Sequence, residues 1–351
     1  IKSSLVSSVK DAENYVLKKY KNGFQPLVNT DDIFISIINE KIIIESIEKL
    51  YWKKMTETKN PGKKFFELLE ESEPLQIVGC INAYCAVMAE KVGHKSIYLS
   101  GAGVANASFG IPDLGITNLG DVVEDAKRIT SVTDVPLLVD IDTGWGGAFN
   151  ISRTIRELSR AGVAAVHIED QVGQKRCGHR PNKEMVSTQE MVDRIKACID
   201  AREEKDFFIM ARTDAFAKEG MSASIDRAHA YIEAGADGIF AEAMTDINHY
   251  KEFKNSLKVP ILANMTEFGK TPLSNIKELA SVGVDMVLYP LSAFRAMSKA
   301  ALNIYETLKI EGDQKKVLKA MQTRNELYEF LDYNSYEEKL DKLFEKNKSS
   351  D

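Results

Sequence analysis

The chain has 351 residues, of which 44% are hydrophobic and 28% charged, as is typical of a globular protein with a substantial core. Its formal net charge of -6 argues against a general nucleic-acid-binding protein, and no apolar run approaches the roughly 20 residues needed to cross a membrane. Four cysteines in so long a chain argue against a disulfide scaffold, and none has the spacing of a zinc site. They indicate reduced thiols in a cytoplasm or, in a eukaryote, a mitochondrial matrix.

The first part of the chain differs in texture from the rest. Residues 1–54 are rich in Ile, Lys and Asn and lack the marks of a signal or transit peptide. A polar joint, "MTETKNPGKKF", follows at Met55. We therefore predict a helical extension of unknown role over 1–54, a main domain over 55–310 and a C-terminal helical segment over 311–351.

A repeated unit of apolar run and amphipathic segment begins near Pro74. Short, continuous apolar runs of this kind are typical of strands buried on both faces. There are eight such runs, at 75–79, 96–101, 136–142, 164–170, 207–214, 238–243, 260–267 and 286–290. A doubly wound sheet would also show this alternation, but the count of eight favours a (β/α)8 TIM-type barrel, an α/β fold.

Several helices of this pattern carry terminal signals. Asn118 and Asn150 are predicted N-caps, and Ser187 with Glu190 has the spacing of a capping box. "GAGVANASFG" (101–110) approximates a dinucleotide fingerprint, but Asn106 replaces its third glycine and no clear helix follows. It is better interpreted as a loop whose backbone N–H groups approach an acidic ligand.

Polar side chains recur where the predicted strands end. Active sites of (β/α)8 barrels lie at this end, so these residues are the candidates for chemistry. They are Ser100, Gly101, Asp140, Asp142, Glu169, Asp170, Arg212, Asp214, Glu242, Asn264, Thr266, Glu267 and Tyr289. The same offset in strand after strand indicates one shared rim rather than a solvated surface.

The segment "VDIDTGWG" gives the sharpest expectation on this rim. Asp140 and Asp142 are two residues apart, which on a strand places both carboxylates on one face. With Glu169, Glu242 and Asn264 they form an all-oxygen set, which suits Mg²⁺ or Mn²⁺ better than zinc.

A cationic loop with one thiol, "KRCGHRPNK", follows the fourth predicted strand. Lys175, Arg176, His179 and Arg180 are expected to lower the pKa of Cys177 and to make its thiolate accessible near neutral pH. From the residues alone, the thiol remains open as a nucleophile, an acid or a base.

Motifs along most of the chain resemble those of one enzyme family. They are "SGAGVANASFGIPDLG", "LLVDIDTGWGGAFN", "HIEDQVGQKRCGHRPNK", "MARTDA", "PILANMTEFG", "YPLSAFRAM" and "MQTRNELYE". Together they resemble the 2-methylisocitrate lyase branch of the isocitrate lyase and phosphoenolpyruvate mutase superfamily, over about residues 58–345. The resemblance implies a homotetramer with C-terminal helices swapped between subunits, and Mg²⁺-dependent cleavage of 2-methylisocitrate to pyruvate and succinate in propionate breakdown.

The resemblance also implies roles for individual residues. Asp140 and Asp142 would hold the metal, with Glu169 and Glu242 in its shell or water network. Cys177 would be the general acid, with His179, Lys175 and Glu169 as further catalytic residues and the base left open between a carboxylate near the metal and a path through His179 or Tyr98. The tricarboxylate would be bound by Ser100, Gly101, Ala102, Cys177, Gly178, Arg212, Glu242, Asn264, Met265, Thr266, Arg295 and Arg324.

Other members of the superfamily are the main alternatives. An isocitrate lyase is expected to carry an insertion in the barrel, which the strand spacing does not show. A phosphoenolpyruvate mutase is not expected to carry the "KRCGH" loop, and an oxaloacetate hydrolase would share the metal rim. A non-enzymatic metal-binding scaffold would be expected to have lost the rim acids or the thiol. The sequence retains the acids and Cys177.

Overall fold

Eight parallel strands form a closed barrel in a computed structural model that describes residues 60–71, 74–180 and 182–344. Neighbours in sequence pair with each other, and the first strand closes the barrel on the last, with Leu75 opposite Met286. Each strand lies inside one predicted run, which confirms the (β/α)8 prediction. The strands are β1 Leu75–Gly79, β2 Ser96–Leu99, β3 Leu137–Asp140, β4 Ala165–Glu169, β5 Phe208–Thr213, β6 Gly238–Ala241, β7 Ile261–Asn264 and β8 Met286–Tyr289.

Helices surround this barrel and extend beyond it. They are α1 Pro61–Leu69, α2 Ala83–Val92, α3 Leu119–Thr130, α4 Ala148–Arg160, α5 Thr188–Ala201, α6 Phe216–Glu233, α7 Ile247–Ser256, α8 Ile276–Ser281, α9 Ser292–Glu311, α10 Arg324–Leu331 and α11 Tyr333–Phe344. Helix α1 closes the end of the barrel where the strands begin, because Phe65 is fully buried there with its ring centroid 5.2 Å from that of Phe208.

The apolar side chains of each strand alternate between two buried layers. One fills the barrel interior, with Leu138, Met210 and Phe240, and the other lies between strands and helices, with Leu137 and Ile209. Successive strand residues point to opposite faces, so the interior row continues past the apolar residues to the polar ones at the strand ends. The barrel thereby gathers these polar side chains at its C-terminal mouth.

Helix starts confirm some predictions and correct others. Asn118 caps α3 with a full capping box, and the Ser187 side chain caps α5 by accepting from the Glu190 amide. The predicted cap at Asn150 is wrong, since α4 begins at Ala148 and the Asn150 side chain donates to the Trp145 carbonyl instead. The prediction that no helix follows the 101–110 segment is confirmed, since the next helix is α3, but the interpretation of the segment itself as a loop is wrong.

That segment, 101–108, winds into a short helical turn, Gly101–Gly103, followed by a π-helical turn, Val104–Ser108. The Gly101 amide donates to Asp140 Oδ2 at 3.1 Å, so a carboxylate of the protein itself accepts this backbone N–H. The backbone of this segment is therefore helical, and the approach of its N–H groups to an acidic ligand stays a prediction.

The C-terminal helices α9, α10 and α11 have no buried residue. Helix α10 is tied to α2, since Tyr84 Oη donates to Gln322 just before α10 and Lys91 Nζ donates to the Glu329 carbonyl within it. Within the described ranges, none of the helices has the length and apolar character of a membrane span. The predicted extension over 1–54 lies outside the described residues.

Candidate active site

Two carboxylates lie together at the end of β3. Asp140 ends the strand, and Asp142 follows in a left-handed turn with φ of 49°. The Asp142 amide donates to Asp140 Oδ1 at 3.0 Å, and a Cβ placed on Gly101 would lie 3.1 Å from one Asp142 oxygen. The prediction that both carboxylates share a strand face is thus corrected, because the turn, not the strand, brings Asp142 back toward Asp140.

The two carboxyl groups titrate in opposite directions. Burial alone would raise the pKa of Asp140, but His167, Lys175 and Arg212 outweigh that effect, so that its pKa falls to about 2. Burial raises the pKa of Asp142 to about 6, with Lys175 opposing and the Asp140 charge adding to the rise. The pair therefore carries one firmly ionised carboxylate beside one that gains a proton more readily.

Lys175 supplies the compensating charge at this pair. Its Nζ lies 2.5 Å from Asp113 Oδ1 and 2.6 Å from Asp142 Oδ1, and the side chain is buried. Desolvation would lower the pKa of Lys175, yet Asp142, Glu169 and other carboxylates raise it well above the usual value. The ammonium is therefore fixed among the acids. Asp113 was missed by the sequence reasoning, although it follows the second strand on the same rim.

Arg212 is the centre of a second charged group on the rim. Its guanidinium lies 2.9 Å from Asp214, 3.3 Å from Glu169 and 3.3 Å from Glu242. Lys183 Nζ also reaches Asp214, at 2.5 Å. These groups are buried, so each cation needs its carboxylate partners to offset the cost of desolvation.

The cationic loop is docked on this group. A Cβ placed on Gly178 would come 2.4 Å from Arg212 Nη2 and 2.6 Å from Glu242 Cδ, so only a glycine permits this approach. Next to it, His179 Nδ1 accepts from the Lys270 amide at 3.0 Å, and Nε2 lies 3.1 Å from Glu242 Oε1. An imidazole that accepts at Nδ1 carries its proton on Nε2, which suits the contact with Glu242.

Cys177 is exposed at the tip of this docked loop. Its pKa is raised above 9.0, chiefly because the sulfur is partly desolvated, with the charge of Arg212 too weak to reverse the effect. The predicted lowering by the loop cations is therefore wrong. The physical reason is that Lys175 is neutralised by carboxylates and His179 is engaged with Glu242. A thiol with a raised pKa keeps its proton at neutral pH, which suits a proton donor.

A cavity of about 710 Å³ opens between the docked loop and the start of α9. Cys177 and Lys175 are among its lining residues, together with three arginines. The lining residues are Ala102, Asn106, Pro112, Asp113, Leu114, Gln174, Lys175, Arg176, Cys177, Arg180, Leu291 and Arg295. Cations around one thiol give a space suited to an anion with several carboxylates.

The remaining predicted site residues divide into two sets. Ser100, Asn264 and Thr266 are buried at the barrel mouth, and Asn264 Nδ2 lies 3.4 Å from Glu242 Oε2. The Met265 side chain points away from the barrel mouth. It packs in the layer between strands and helices, and its sulfur accepts from the Ser274 amide. Arg324 is exposed at the start of α10 and does not line the cavity. The structure thus does not bring these two side chains to the rim.

Tyr98 and His167 lie below the carboxylate pair inside the barrel. Tyr98 Oη is 2.9 Å from His167 Nε2 and 3.4 Å from Asp140 Oδ2. Complete burial lowers the pKa of His167 to about 4, with Asp140 opposing the change. The imidazole is therefore neutral at physiological pH and serves as a hydrogen-bonding support of the pair.

Comparison with known proteins decides the family. The family model for phosphoenolpyruvate phosphomutase matches residues 65–309. The chain is 62% identical over 291 residues to the 2-methylisocitrate lyase of Shewanella oneidensis, which covers 83% of this chain and 100% of that protein. This chain belongs to the 2-methylisocitrate lyase family.

Solved structures place that family in its superfamily. The crystal structure of 2,3-dimethylmalate lyase, a phosphoenolpyruvate mutase/isocitrate lyase superfamily member, matches with a TM-score of 0.74 and 33% identity, over 79% of this chain and 94% of that one. Phosphonopyruvate hydrolase, solved with oxalate and Mg²⁺, matches with a TM-score of 0.70 and 27% identity, over 79% and 97% of the two chains. The likeness therefore extends through the whole barrel.

The donor set of this 2-methylisocitrate lyase family member fits Mg²⁺. Among the described residues, no group of three or more His, Cys, Asp or Glu side chains is arranged to hold a metal ion. Mg²⁺ instead keeps several waters and takes one or two carboxylates, as Asp140 and Asp142 would provide. Glu169 and Glu242, expected in the metal shell, are paired with Arg212.

Proposed function

We propose that the chain cleaves 2-methylisocitrate to pyruvate and succinate, with Mg²⁺ held by Asp140 and Asp142. The observation that carries the proposal is the 62% identity to a 2-methylisocitrate lyase over that protein's full length. The site supports it independently, because a thiol with a raised pKa and several cations line one cavity, and Lys175 in that lining contacts Asp142 of the carboxylate pair. Proton donation, metal binding and recognition of a tricarboxylate are tasks that such a cleavage requires, together with removal of the hydroxyl proton.

The reaction sets a strict order of proton movements. The tertiary hydroxyl of the substrate loses its proton, the adjacent C–C bond breaks, and the hydroxyl carbon becomes the carbonyl carbon of pyruvate. The electron pair of the broken bond passes to the succinate carbon, which then takes up one proton. When bound, Mg²⁺ would lower the pKa of the substrate hydroxyl and stabilise negative charge that develops on its oxygen.

Cys177 is the proposed donor of the proton to succinate. Its raised pKa keeps the thiol protonated, and its position at the edge of the cavity allows it to reach a bound ligand. Docking of Gly178 on Arg212 and Glu242 covers the mouth of the barrel on that side. The same docking limits access of water, which would otherwise compete for proton transfer.

Other loop and rim residues would support this step. His179 holds the loop to Glu242, and Lys175 balances the charge of Asp142. Burial raises the pKa of Glu169 well above its ordinary value, and its Oε1 has no hydrogen-bond partner among the described residues. Glu169 is therefore a candidate to exchange the hydroxyl proton, beside a path through Tyr98 to Asp140.

Carboxylate recognition would involve the cations of the cavity. Arg295 lines it with a side chain that is 45% exposed, 3.7 Å from Glu267 and over the ring of Phe268. Arg176 and Arg180 line it as well. Arg212 is already paired with Asp214 and Glu242 and contacts Glu169, so its contribution is mainly to hold Glu242 and the loop. Ala102 also lines the cavity, and Ser100, Gly101, Asn264 and Thr266 would contact the substrate deeper in the barrel mouth.

A substrate comparison tests the proposal. Purified protein with Mg²⁺ is assayed in parallel for pyruvate from 2-methylisocitrate, glyoxylate from isocitrate and oxalate from oxaloacetate. We expect kcat/KM to be highest for 2-methylisocitrate, by at least about tenfold over isocitrate, because one methyl group in a fitted pocket is worth about 1–3 kcal/mol. A preference for isocitrate or for oxaloacetate hydrolysis would assign the chain to the corresponding alternative.

The proposed assembly is a homotetramer in the cytoplasm with exchanged C-terminal helices. Helix α11 supports it, since Tyr336, Leu340 and Leu343 are spaced along one face and are 72%, 53% and 57% exposed. An isolated soluble chain rarely exposes so many large apolar side chains together. Free Cys80, Cys85 and Cys198 are in keeping with a reducing compartment.

A further inference from the structure

Gln171 is a buried amide at the base of the cationic loop. It lies two residues after Glu169, the last residue of β4, and its exposed fraction is 1%. Its Nε2 donates to the Arg176 carbonyl at 2.8 Å, and its Oε1 accepts from the Arg176 amide at 2.9 Å. Both hydrogen-bonding ends of one side chain are thus used on the backbone of one residue, the residue before Cys177.

This contact fixes the peptide bond that carries the thiol. The Arg176 carbonyl belongs to the peptide plane between Arg176 and Cys177, so a hydrogen bond to it restrains the direction in which Cys177 leaves the loop. A side chain that binds both the amide and the carbonyl of Arg176 restrains rotation on either side of that residue. Cys177 itself is exposed, so the loop backbone must provide its orientation.

The backbone of Gln171 is fixed from two other sides. It forms an antiparallel bridge with Met185, where the loop returns to the barrel. Arg194 on α5 donates to the Gln171 carbonyl at 2.8 Å and to the Glu169 carbonyl at 3.1 Å. Gln171 therefore contacts the end of the loop at Met185 and the residue before Cys177, and it is itself held by Arg194 of α5.

We propose that Gln171 is a positioning residue, which holds the Arg176–Cys177 peptide so that the Cys177 thiol faces the cavity. It touches neither substrate nor metal and acts only through the loop. The expected loss of turnover rests on the proposed function, whereas the orientation of Cys177 by Gln171 does not depend on it. The expected signature is a loss in turnover with little loss in substrate binding, because the thiol is misplaced and the binding groups are not.

The test compares Gln171→Met, which keeps volume and removes both hydrogen bonds, with the native protein. The matched control is Gln189→Met, at an exposed helical glutamine whose Nε2 donates to Asp193. We expect Gln171→Met to lower kcat about ten- to hundredfold, with KM for 2-methylisocitrate changed less than about threefold. Circular dichroism and a thermal melt establish that each variant is folded, and Gln171→Glu, which keeps one acceptor and loses the donor, replaces Gln171→Met if that variant does not fold.

A second readout does not depend on the substrate. The rate of Cys177 alkylation by iodoacetamide is followed by mass spectrometry, with buried Cys80, Cys85 and Cys198 as internal references. We expect the rate at Cys177 to rise at least about threefold in Gln171→Met, since a released thiol is better solvated and ionises more readily. Native kcat and native alkylation in a folded variant would overturn the proposal. A changed alkylation rate in a chain that does not cleave 2-methylisocitrate would retain the positioning role and reject the proposed function.

Discussion

Gly178 lies against the guanidinium of Arg212 so closely that no side chain fits between them. A Cβ on Gly178 would come 2.4 Å from Arg212 Nη2 and 2.6 Å from Glu242 Cδ. The contact joins the tip of the cationic loop to a charge cluster at the ends of β5 and β6. Because the cluster is buried and its charges are paired, its side chains are held in place, and the loop packs against them.

Replacing this glycine tests the docking. Gly178→Ala forces the methyl group into Arg212 and Glu242, so the loop must lift and carry Cys177 away. We expect kcat/KM for 2-methylisocitrate to fall at least about 100-fold, in the range given by an ångström-scale misplacement. The matched control is Gly173→Ala on the same loop, where a Cβ meets nothing within 4 Å. Equal activity of the two variants would contradict the docked loop as the active form.

The thiol of Cys177 is tested by substitution and by pH. Cys177→Ser keeps the size of the side chain but gives a much weaker acid, so we expect kcat to fall at least about 100-fold with KM nearly unchanged. In the native protein, kcat should fall on the alkaline side as pH passes the raised thiol pKa, since the donor is then deprotonated. Stopped assays from pH 6 to 10 measure both effects, and native turnover in Cys177→Ser would exclude the donor role.

The metal role of the carboxylate pair is tested at Asp142. Asp142→Asn removes a ligand oxygen charge, and we expect activity with Mg²⁺ to fall at least about 100-fold and half-maximal stimulation to need about tenfold more Mg²⁺. Asp200→Asn, at an exposed helical position, is the control. Mg²⁺ titrations of activity and isothermal titration calorimetry give the two values. Full stimulation at native Mg²⁺ concentrations in Asp142→Asn would place the metal elsewhere.

The Arg212 cluster has a consequence for stability. Burial would raise the pKa of Asp214, but Arg212 and Lys183 outweigh it and lower the pKa below 3.8. A lowered pKa in the folded state stabilises the protein above the unfolded pKa, and the gain is lost as pH falls below about 4. Asp214→Asn should cost about 3 kcal/mol at pH 7, because two buried cations lose their partner. Urea unfolding at pH 3 to 7 should show a flatter pH dependence for the variant than for Asp200→Asn.

The proposed helix exchange is tested on the exposed apolar face of α11. Leu340→Asp places a charge where the side chain is 53% exposed and flanked by Tyr336 and Leu343. If this face is covered in a tetramer, the substitution should shift the mass seen by light scattering to dimers or single chains, since a buried unpaired charge costs several kcal/mol. Lys339→Asp, one position away, is the control. An unchanged mass for Leu340→Asp would exclude this face from the assembly.

The local sequence pattern was sufficient to predict the barrel and much of its rim. Eight apolar runs predicted eight strands because a strand buried on both faces leaves no polar alternation in the sequence. Asp140, Glu169, Arg212 and Glu242 were found from their position at the ends of these runs. Helix caps such as Asn118 were also readable, since a cap depends on residues within one turn.

What the sequence by itself determined is therefore the barrel, the family and the residue types at its mouth, because these follow from periodicity and short motifs. Tertiary structure alone decided the charge state of Cys177, since its pKa depends on desolvation and on whether Lys175 and His179 are already paired. It also decided the side on which Met265 lies, the turn that returns Asp142 to Asp140, and the contact of Gln171 with Arg176. Electrostatic and hydrogen-bonding partners are set by distances across the fold, and such distances are not contained in a local pattern.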